Sequence, residues 1–261
     1  MSNGRFRGVR NTPSLSGTGG VYRSGEQYDH RKDNTWPRLP RANQIMYLDA
    51  GRTDSYSGSG STWYDLSPEG NDATVNGSPT HTSGIAGYFQ MTTSDYFTVS
   101  GGCPHSFENG FTVFTLQMLQ TDNSYETYMY IGNSSNHNDS ILCRRWSNAE
   151  YIDVYVASGG VVKADFNTST SILQNYDPHT YAWTMGGTNG HNFYRDGVFI
   201  ENNSDTDLPD TKNDRAEWRL GRDYTGNSMD GRYHIAMVYN RELSANEVAA
   251  LHGQFTTRYS I

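Results

Sequence analysis

Two segments of this chain combine amide and carboxylate side chains with nearby aromatic rings, which is the chemistry of a sugar-binding site. Residues 132–139 read G-N-S-S-N-H-N-D, and residues 223–227 read D-Y-T-G-N. An aromatic ring can stack on the apolar face of a sugar while Asn, Asp and Arg groups bond its hydroxyls. We therefore predict ligand-binding roles for Tyr125, Trp146, Tyr224 and Asn227. Because the chain has 19 tyrosines, packing in a core or an interface is the commoner role for any single ring.

Aspartates in turn-like sequences suggest a second kind of site, one for calcium. Ca²⁺ prefers carboxylate and carbonyl oxygens, and the candidate ligands are Asp49, Asp65, Asp72 and Asp230. A further acidic cluster contains Asp205, Asp207, Asp210 and Asp214. No run matches an EF-hand loop, and Asp in Gly- and Asn-rich turns commonly serves the turn itself. The eight histidines contain no H-x-x-x-H pair, which argues against a transition-metal site. Ca²⁺ is the one cofactor that these residues could bind.

Catalytic chemistry has little support in the sequence. The nearest pair of acids within one predicted strand region is Glu150 and Asp153, and residues three apart on a strand face opposite sides. Neither a G-x-S-x-G nucleophile elbow nor a nucleotide-binding loop occurs. We therefore expect a protein that is not an enzyme.

The elements that must position these residues are short strands. Gly (27 residues) and Tyr (19) are abundant, as in glycine-rich turns between strands of aromatic and β-branched residues. The predicted strands cover residues 45–49, 73–75, 87–91, 96–99, 111–119, 125–131, 140–146, 151–157, 161–166, 179–185, 192–195, 198–200, 217–220 and 232–239. Asp196-Gly197 falls between two of them, which is a strong hairpin signal. The pattern predicts an all-β fold, a two-sheet antiparallel jelly-roll sandwich.

The C-terminal region predicts a strand that leads into a short helix. Alternation predicts that Tyr233, Ile235 and Met237 share one face of the strand, with His234, Ala236 and Val238 on the other. Ser244 and Glu247 then form an S-x-x-E capping box, the signature of a helix start. The apolar stripe of this helix, which we expect to pack inward, consists of Val248, Leu251 and Phe255.

The charge of the chain is divided between an N-terminal arm and an acidic body. Residues 1–41 carry eight Arg or Lys against three acids, a charge of +5, whereas the rest carries 12 against 25, a charge of −13. The acidic body argues against nucleic-acid binding there. The arm, residues 1–43, is rich in Ser, Gly, Pro and Arg and too poor in apolar residues to bury itself. We expect it to lie on another protein, and the predicted assembly residues are Arg5, Arg7, Arg10, Tyr22 and Trp36.

The sequence also bears on export, on membrane insertion and on the pairing of the two cysteines. The first residues contain no apolar segment of signal-peptide length, so we expect no export by the Sec route. No apolar run approaches membrane-spanning length. Cys103 and Cys143 are the only cysteines, and two thiols do not make a disulfide framework, so we favour free thiols and leave their pairing open.

Two blocks at opposite ends of the body resemble a known family. The first contains Tyr47-Leu48-Asp49-Ala50-Gly51, Thr62-Trp63-Tyr64-Asp65-Leu66 and Gly70-Asn71-Asp72-Ala73. The second contains Phe193-Tyr194-Arg195-Asp196-Gly197, Leu220-Gly221-Arg222, Met229-Asp230-Gly231 and the residues from Tyr239 to Leu251. Together they resemble laminin-G-like domains of the concanavalin A-like lectin/glucanase superfamily, over roughly residues 44–256. The resemblance implies a jelly-roll domain over residues 44–261 and is compatible with a bound Ca²⁺. Some relatives hydrolyse polysaccharides with a Glu-x-Asp-x-x-Glu strand, which this chain lacks.

The arm has a resemblance of its own. Gly20-Val21-Tyr22-Arg23-Ser24-Gly25-Glu26-Gln27-Tyr28 followed by Trp36-Pro37 is similar to a short segment in virion proteins of tailed bacteriophages. It implies a structural protein on the virion surface, such as a capsid decoration, head-fibre or tail-fibre component, with host-surface glycans as possible ligands. Its partners would be other virion proteins and further copies of itself, and the analogy with fibres suggests a trimer. Neither a membrane nor a specific nucleic acid is an expected partner. The alternative is a free carbohydrate-binding module or lectin.

Overall fold

A computed structural model describes residues 40–99, 101–120, 125–133, 136–138, 140–146, 151–168, 177–206, 208, 217–259 and 261. The predicted assembly residues Arg5, Arg7, Arg10, Tyr22 and Trp36 lie outside this set. The strands are β1 Gln44–Asp49, β2 Thr62–Trp63, β3 Ala73–Asn76, β4 Thr80–Thr82, β5 Tyr88–Met91, β6 Tyr96–Val99, β7 Phe111–Leu119, β8 Tyr125–Gly132, β9 Ser140–Trp146, β10 Tyr151–Ser158, β11 Val161–Asn167, β12 His179–Gly186, β13 Gly190–Arg195, β14 Val198–Asn203, β15 Glu217–Leu220 and β16 Gly231–Tyr239. Among these described residues there is one helix, α1, which covers Ala245–Tyr259.

The strands form two antiparallel sheets. Sheet I has the order β14-β13-β12-β7-β16-β5-β4, with β1 also paired to β16. Sheet II has the order β11-β10-β9-β8-β15-β6-β3-β2. Every predicted strand is present with small shifts at its ends, and the predicted all-β sandwich is confirmed. Strands β2 and β4 were not predicted, because their two and three residues are too few to show alternation.

Buried side chains fill two layers. The larger layer lies between the sheets and includes Trp63, Trp183 and Trp218, each no more than 1% exposed. The second layer lies between the outer face of sheet I and α1, where Val248, Leu251 and Phe255 are buried. Their inward packing confirms the prediction for the helix stripe. Sheet I is therefore covered on both faces, so functional side chains have more room on the outer face of sheet II.

The alternation predicted for β16 is wrong at one point. The pairing of β16 with β7 shifts between Tyr233 and Ile235, so His234 is the extra residue of a β-bulge. As a result Tyr233 joins Ala236 and Val238 between the sheets, whereas Ile235 and Met237 pack under the helix. A bulge reverses the facing of the residues on one side of it, which simple alternation cannot foresee.

The predicted hairpin and helix start are both present. Asp196 and Gly197 have positive φ angles of 51° and 73° and connect β13 to β14, as a two-residue I′ turn requires. Glu247 Oε2 accepts the backbone N–H of Ser244 at 2.9 Å, and the Ser244 hydroxyl accepts the backbone N–H of Glu247 at 3.4 Å. This reciprocal pair is the predicted capping box.

Candidate functional site

Two of the predicted calcium ligands, Asp65 and Asp72, organise the turn that follows β2. Asp65 Oδ1 accepts the backbone N–H groups of Tyr47 and Ser67 at 2.7 and 2.8 Å. Its Oδ2 accepts the Ser67 hydroxyl at 2.6 Å and the Asn71 N–H at 2.8 Å. Asp72 Oδ1 accepts the backbone N–H of Asp65 at 2.8 Å. All four donors to the Asp65 carboxylate belong to the chain itself, so this carboxylate stabilises the turn.

The other two candidates lie in separate surroundings. Asp49 is fully buried, accepts the Tyr47 hydroxyl at 2.9 Å, and is ion-paired to Arg258 of α1, whose Nη1 lies 2.7 Å from Oδ2. Asp230 is half-buried just before β16, and burial together with the nearby Asp95 charge raises its pKa. Asp207, Asp210 and Asp214 lie outside the described residues. Within the described part of the chain, no three His, Cys, Asp or Glu side chains are grouped to hold a metal ion. The structure therefore brings together only two of the four predicted calcium ligands, Asp65 and Asp72, and the calcium site stays a prediction.

The segment around Tyr224 and Asn227 is a tight loop built on one carboxylate. Asp223 Oδ1 accepts the backbone N–H groups of Thr225 and Asn227 at 2.9 and 3.0 Å, and its Oδ2 accepts the Asn227 amide at 3.0 Å. The Tyr224 ring packs against His137, with 4.5 Å between centroids. Asn227 is therefore engaged within this loop and Tyr224 packs against His137 outside it, although each keeps some exposure.

Tyr125 and Trp146, the other two predicted ligand-binding residues, come together on sheet II. They are direct partners in the register of β8 and β9, and their ring centroids are 5.1 Å apart in an edge-to-face arrangement. Tyr151 of β10 is the register partner of Trp146 on the far side. Because the neighbouring Ile152 points into the layer between the sheets, these rings lie on the outer face. Tyr125 and Trp146 are each 37% exposed.

The ion pair between Arg144 and Asp153 lies against one side of the aromatic rings. The Arg144 guanidinium lies 4.2 Å from the Trp146 ring centroid and 5.6 Å from that of Tyr125, and such stacking contributes about 0.5–1 kcal/mol. Arg144 Nε donates to Asp153 Oδ2 at 2.7 Å. Burial raises the pKa of Asp153 to about 6, although Arg144 lowers it, and Asp165 adds to the rise. Arg144 is therefore fixed in place by a buried carboxylate.

Strand β11 adds polar groups to the same face. Asn167 is the register partner of Asp153, and Asp165 is that of Tyr155. Asp165 and Asn167 are exposed, and the Asn167 amide lies 3.5 Å from Asp165 Oδ1. We call this surface the platform, and it consists of Tyr125, Arg144, Trp146, Tyr151, Asp153, Asp165 and Asn167. It offers stacking rings, a fixed cation, and amide and carboxylate groups that can bond hydroxyls.

The remaining sequence expectations concern the two acids considered for catalysis, the two cysteines and membrane-spanning segments. Glu150, one of the two acids considered for catalysis, lies outside the described residues, whereas Asp153 is paired with Arg144 on the platform. Cys103 and Cys143 are buried, and no disulfide bond joins them. Burial raises the pKa of the Cys143 thiol well above its ordinary value, so this thiol is held in its unreactive form. No helix in the described part of the chain is long and apolar enough to cross a membrane.

With the fold and platform established, the chain can be compared with known proteins. A family model of laminin G domains, described as the concanavalin A-like lectin/glucanases superfamily, matches residues 91–249, more than half of the chain. The chain belongs to this superfamily. The match includes the four strands that carry the platform. A search of curated protein sequences finds no relative.

Solved structures share the superfamily fold at low identity. Domain 4 of AbnA, a GH43 extracellular arabinanase from Geobacillus stearothermophilus, in complex with arabinotriose, has a TM-score of 0.63 and 15% identity over 80% of this chain and 98% of that domain. The binding domain of botulinum neurotoxin DC in complex with SialylT has a TM-score of 0.61 and 11% identity over 82% of this chain. Trypanosoma rangeli sialidase has a TM-score of 0.60 and 12% identity over 88% of this chain and 35% of its own. The chain spans 52% of the neurotoxin binding domain. These identities show the fold alone, which is that of lectin-like domains.

The sequence pointed to Tyr125 and Trp146 but missed the polar half of the platform. Arg144, Asp165 and Asn167 were not proposed as site residues, and Asp153 was considered only for catalysis. A signal was present, because Arg144 and Trp146 alternate in β9 with the inward-facing Cys143 and Arg145. The register that places Asp153 and Asn167 beside them depends on long-range strand pairing, which local sequence does not specify.

Proposed function

We propose that this chain is a non-catalytic adhesion protein whose platform binds a glycan on a host surface. The observation that carries the proposal is the pairing of two partly exposed rings, Tyr125 and Trp146, with the polar row of Arg144, Asp153 and Asn167 on one open sheet face. Stacking rings bordered by a few fixed polar groups are what sugar recognition needs.

The dimensions of the platform suit an oligosaccharide. The platform crosses β8, β9, β10 and β11, so three strand spacings separate Tyr125 from the residues of β11. At about 4.8 Å per spacing the width is about 14 Å, the length of two to three sugar rings. A ligand of this size would place one ring on Trp146 and exchange hydrogen bonds with Asn167 and Asp165.

The same geometry favours binding over catalysis. The Asp153 carboxylate is 1% exposed and bonded to Arg144, so it is poorly placed to exchange a proton with a ligand. Asp165 is exposed, and the described carboxyl beside it is the buried Asp153. Glycoside hydrolysis needs two carboxylates that flank the scissile bond, and the platform offers one accessible carboxylate.

Binding to a glycan array by the intact chain tests the proposal. Trp146→Ala and Tyr125→Ala are expected to lower binding at least tenfold, because each removes a stacking surface. Tyr64→Ala is the matched control, because Tyr64 is 51% exposed and follows β2, at the opposite edge of sheet II. Binding that survives Trp146→Ala but is lost in Tyr64→Ala would refute the platform as the site.

We further propose that the protein is a bacteriophage virion component, such as a capsid decoration, head-fibre or tail-fibre protein, at the virion surface. Support comes from the +5 charge of residues 1–41 and the resemblance of residues 20–37 to phage virion segments. The arm would dock on other virion proteins, while the domain faces outward, in a homo-oligomer such as a trimer. The alternative is a free lectin or carbohydrate-binding module without a virion role.

Deletion of residues 1–39 separates these two possibilities. The deletion leaves β1 and all later elements in place, so the domain is expected to stay folded and to keep its glycan binding. It should no longer join particles when added to virions that lack the protein. Particle binding that is unchanged by the deletion would contradict the arm's role, and a full-length chain that never joins particles would favour the free lectin.

A further inference from the structure

We infer that the platform selects uncharged glycans over carboxylated ones, and that Asp165 is the residue that sets this preference. The inference rests on the proposed glycan-binding function and adds the chemical class of the ligand.

Arg144 is the cation nearest the aromatic rings, but it is not free to receive an anionic ligand. Its Nε is bonded to Asp153 at 2.7 Å, its guanidinium stacks on Trp146 at 4.2 Å, and its side chain is only 11% exposed. A ligand carboxylate that recruited Arg144 would leave Asp153, 1% exposed, buried with a weakened partner. Removing the partner of a buried charge is costly, so the pair resists exchange.

The accessible charge on the platform is negative. Asp165 is exposed on β11 and lies close enough to Asp153 to raise the pKa of that carboxyl. Lys163, the nearest cation along β11, is the extra residue of a β-bulge two positions from Asp165, on the side away from the aromatic rings. A sugar stacked on Trp146 and extended toward β11 therefore reaches the Asp165 carboxylate before the Lys163 ammonium. Its hydroxyls can donate to that carboxylate, whereas a ligand carboxylate meets repulsion.

The size of the preference follows from this one charge. Two like charges about 7 Å apart in water repel enough to weaken binding about threefold. The effect is screened by salt, with a Debye length of about 8 Å at physiological ionic strength. We therefore expect a preference of about threefold for neutral glycans at low salt, which shrinks as salt rises. The net charge of −8 adds in the same direction.

The test uses the intact chain on an array in which gluco- and galacto-oligosaccharides stand beside oligoglucuronates and oligogalacturonates. The native chain should bind the neutral member of a pair more tightly than the uronate. Asp165→Asn should raise uronate binding about threefold while neutral binding changes little. Glu69→Gln is the matched control, because it changes the net charge equally at an exposed site between β2 and β3, at the opposite edge of sheet II. Circular dichroism confirms that both variants fold.

The outcomes separate the inference from the proposed function. If the chain binds uronates as tightly as neutral glycans and Trp146→Ala abolishes both, the function stands and the selectivity is wrong. If Asp165→Asn and Glu69→Gln change uronate binding equally, overall charge sets the preference and Asp165 is not the determinant. If no glycan binds, or Trp146→Ala has no effect, the proposed function itself fails, and the selectivity fails with it.

Discussion

The ion pair between Glu126 and Arg145 gives the strongest stability prediction, because it is buried directly beneath the platform. Glu126 and Arg145 are register partners next to the Tyr125–Trp146 pair, and their side chains point between the sheets. Their exposures are 0% and 2%, and Glu126 Oε2 lies 3.2 Å from Arg145 Nη1. Removing one partner of such a pair typically costs about 3–5 kcal/mol, because a buried charge is left unpaired. We expect Arg145→Met to lose this much unfolding free energy at pH 8.

The pH dependence of this pair has a definite sign. Burial raises the pKa of Glu126 from 4.5 to about 7, although Arg145 lowers it. A raised carboxyl pKa means that the folded protein holds the proton more tightly than the unfolded chain. The contribution of Glu126 to stability is therefore full below pH 4.5 and is lost as pH rises through 7. The shift corresponds to about 3 kcal/mol, and Glu126→Gln should remove this part of the pH profile.

Urea denaturation followed by circular dichroism, at pH 8 and pH 5, checks both expectations. Arg145→Met should be less costly at pH 5, where Glu126 is protonated in the folded protein. The double variant Glu126→Gln/Arg145→Met should recover at least half of the Arg145→Met loss at pH 8, because it leaves no buried charge. A loss below about 1 kcal/mol for Arg145→Met, or a double variant that loses the sum of both single changes, would refute a coupled buried pair.

Three further predictions concern the helix and its contacts with sheet I. Phe255→Ala should cost about 3–5 kcal/mol in urea denaturation, because Phe255 of α1 is 3% exposed and packs against sheet I; a loss below 1 kcal/mol would mean that the helix is not docked. Ser244→Ala should cost about 1 kcal/mol by removing the helix cap, whereas Ser57→Ala, an exposed change in a loop, should cost little. Burial lowers the pKa of His234 to about 3, so neutral His234 supports the fold above pH 6.5 and this support is lost as pH falls toward 3. His234→Asn should remove that part of the acid sensitivity, and an unchanged pH profile would contradict the assignment.

The strands were predictable because aromatic and β-branched segments are separated by turn sequences, and the departures arise where local sequence does not determine pairing. These signals placed β7 and β9 at their observed residues, and the S-x-x-E motif located the helix start. The bulge at His234 was not foreseeable, because it depends on how β16 pairs with β7. It reversed the facing of Tyr233 relative to Ile235, as a one-residue slip must.

Only the aromatic part of the platform could be predicted from the sequence, again because local sequence does not determine strand pairing. Tyr125 and Trp146 could be proposed from their chemistry, but only the sheet register shows that they touch. Composition alone could not decide the role of the aspartates proposed for calcium, because an oxygen-rich turn satisfied by its own N–H groups has the same composition as a cation site. Asp65 illustrates this, since four hydrogen bonds from its own chain occupy its carboxylate.

The central claim is that the platform binds a glycan, and the indole N–H signals of the tryptophans test it most directly. Trp63, Trp183 and Trp218 are buried between the sheets, whereas Trp146 is 37% exposed on the platform. A ¹⁵N-labelled chain titrated with the best glycan from the array should shift the Trp146 indole signal, identified by its loss in Trp146→Phe, and leave the three buried signals in place. A glycan that binds without moving the Trp146 signal would contradict the account.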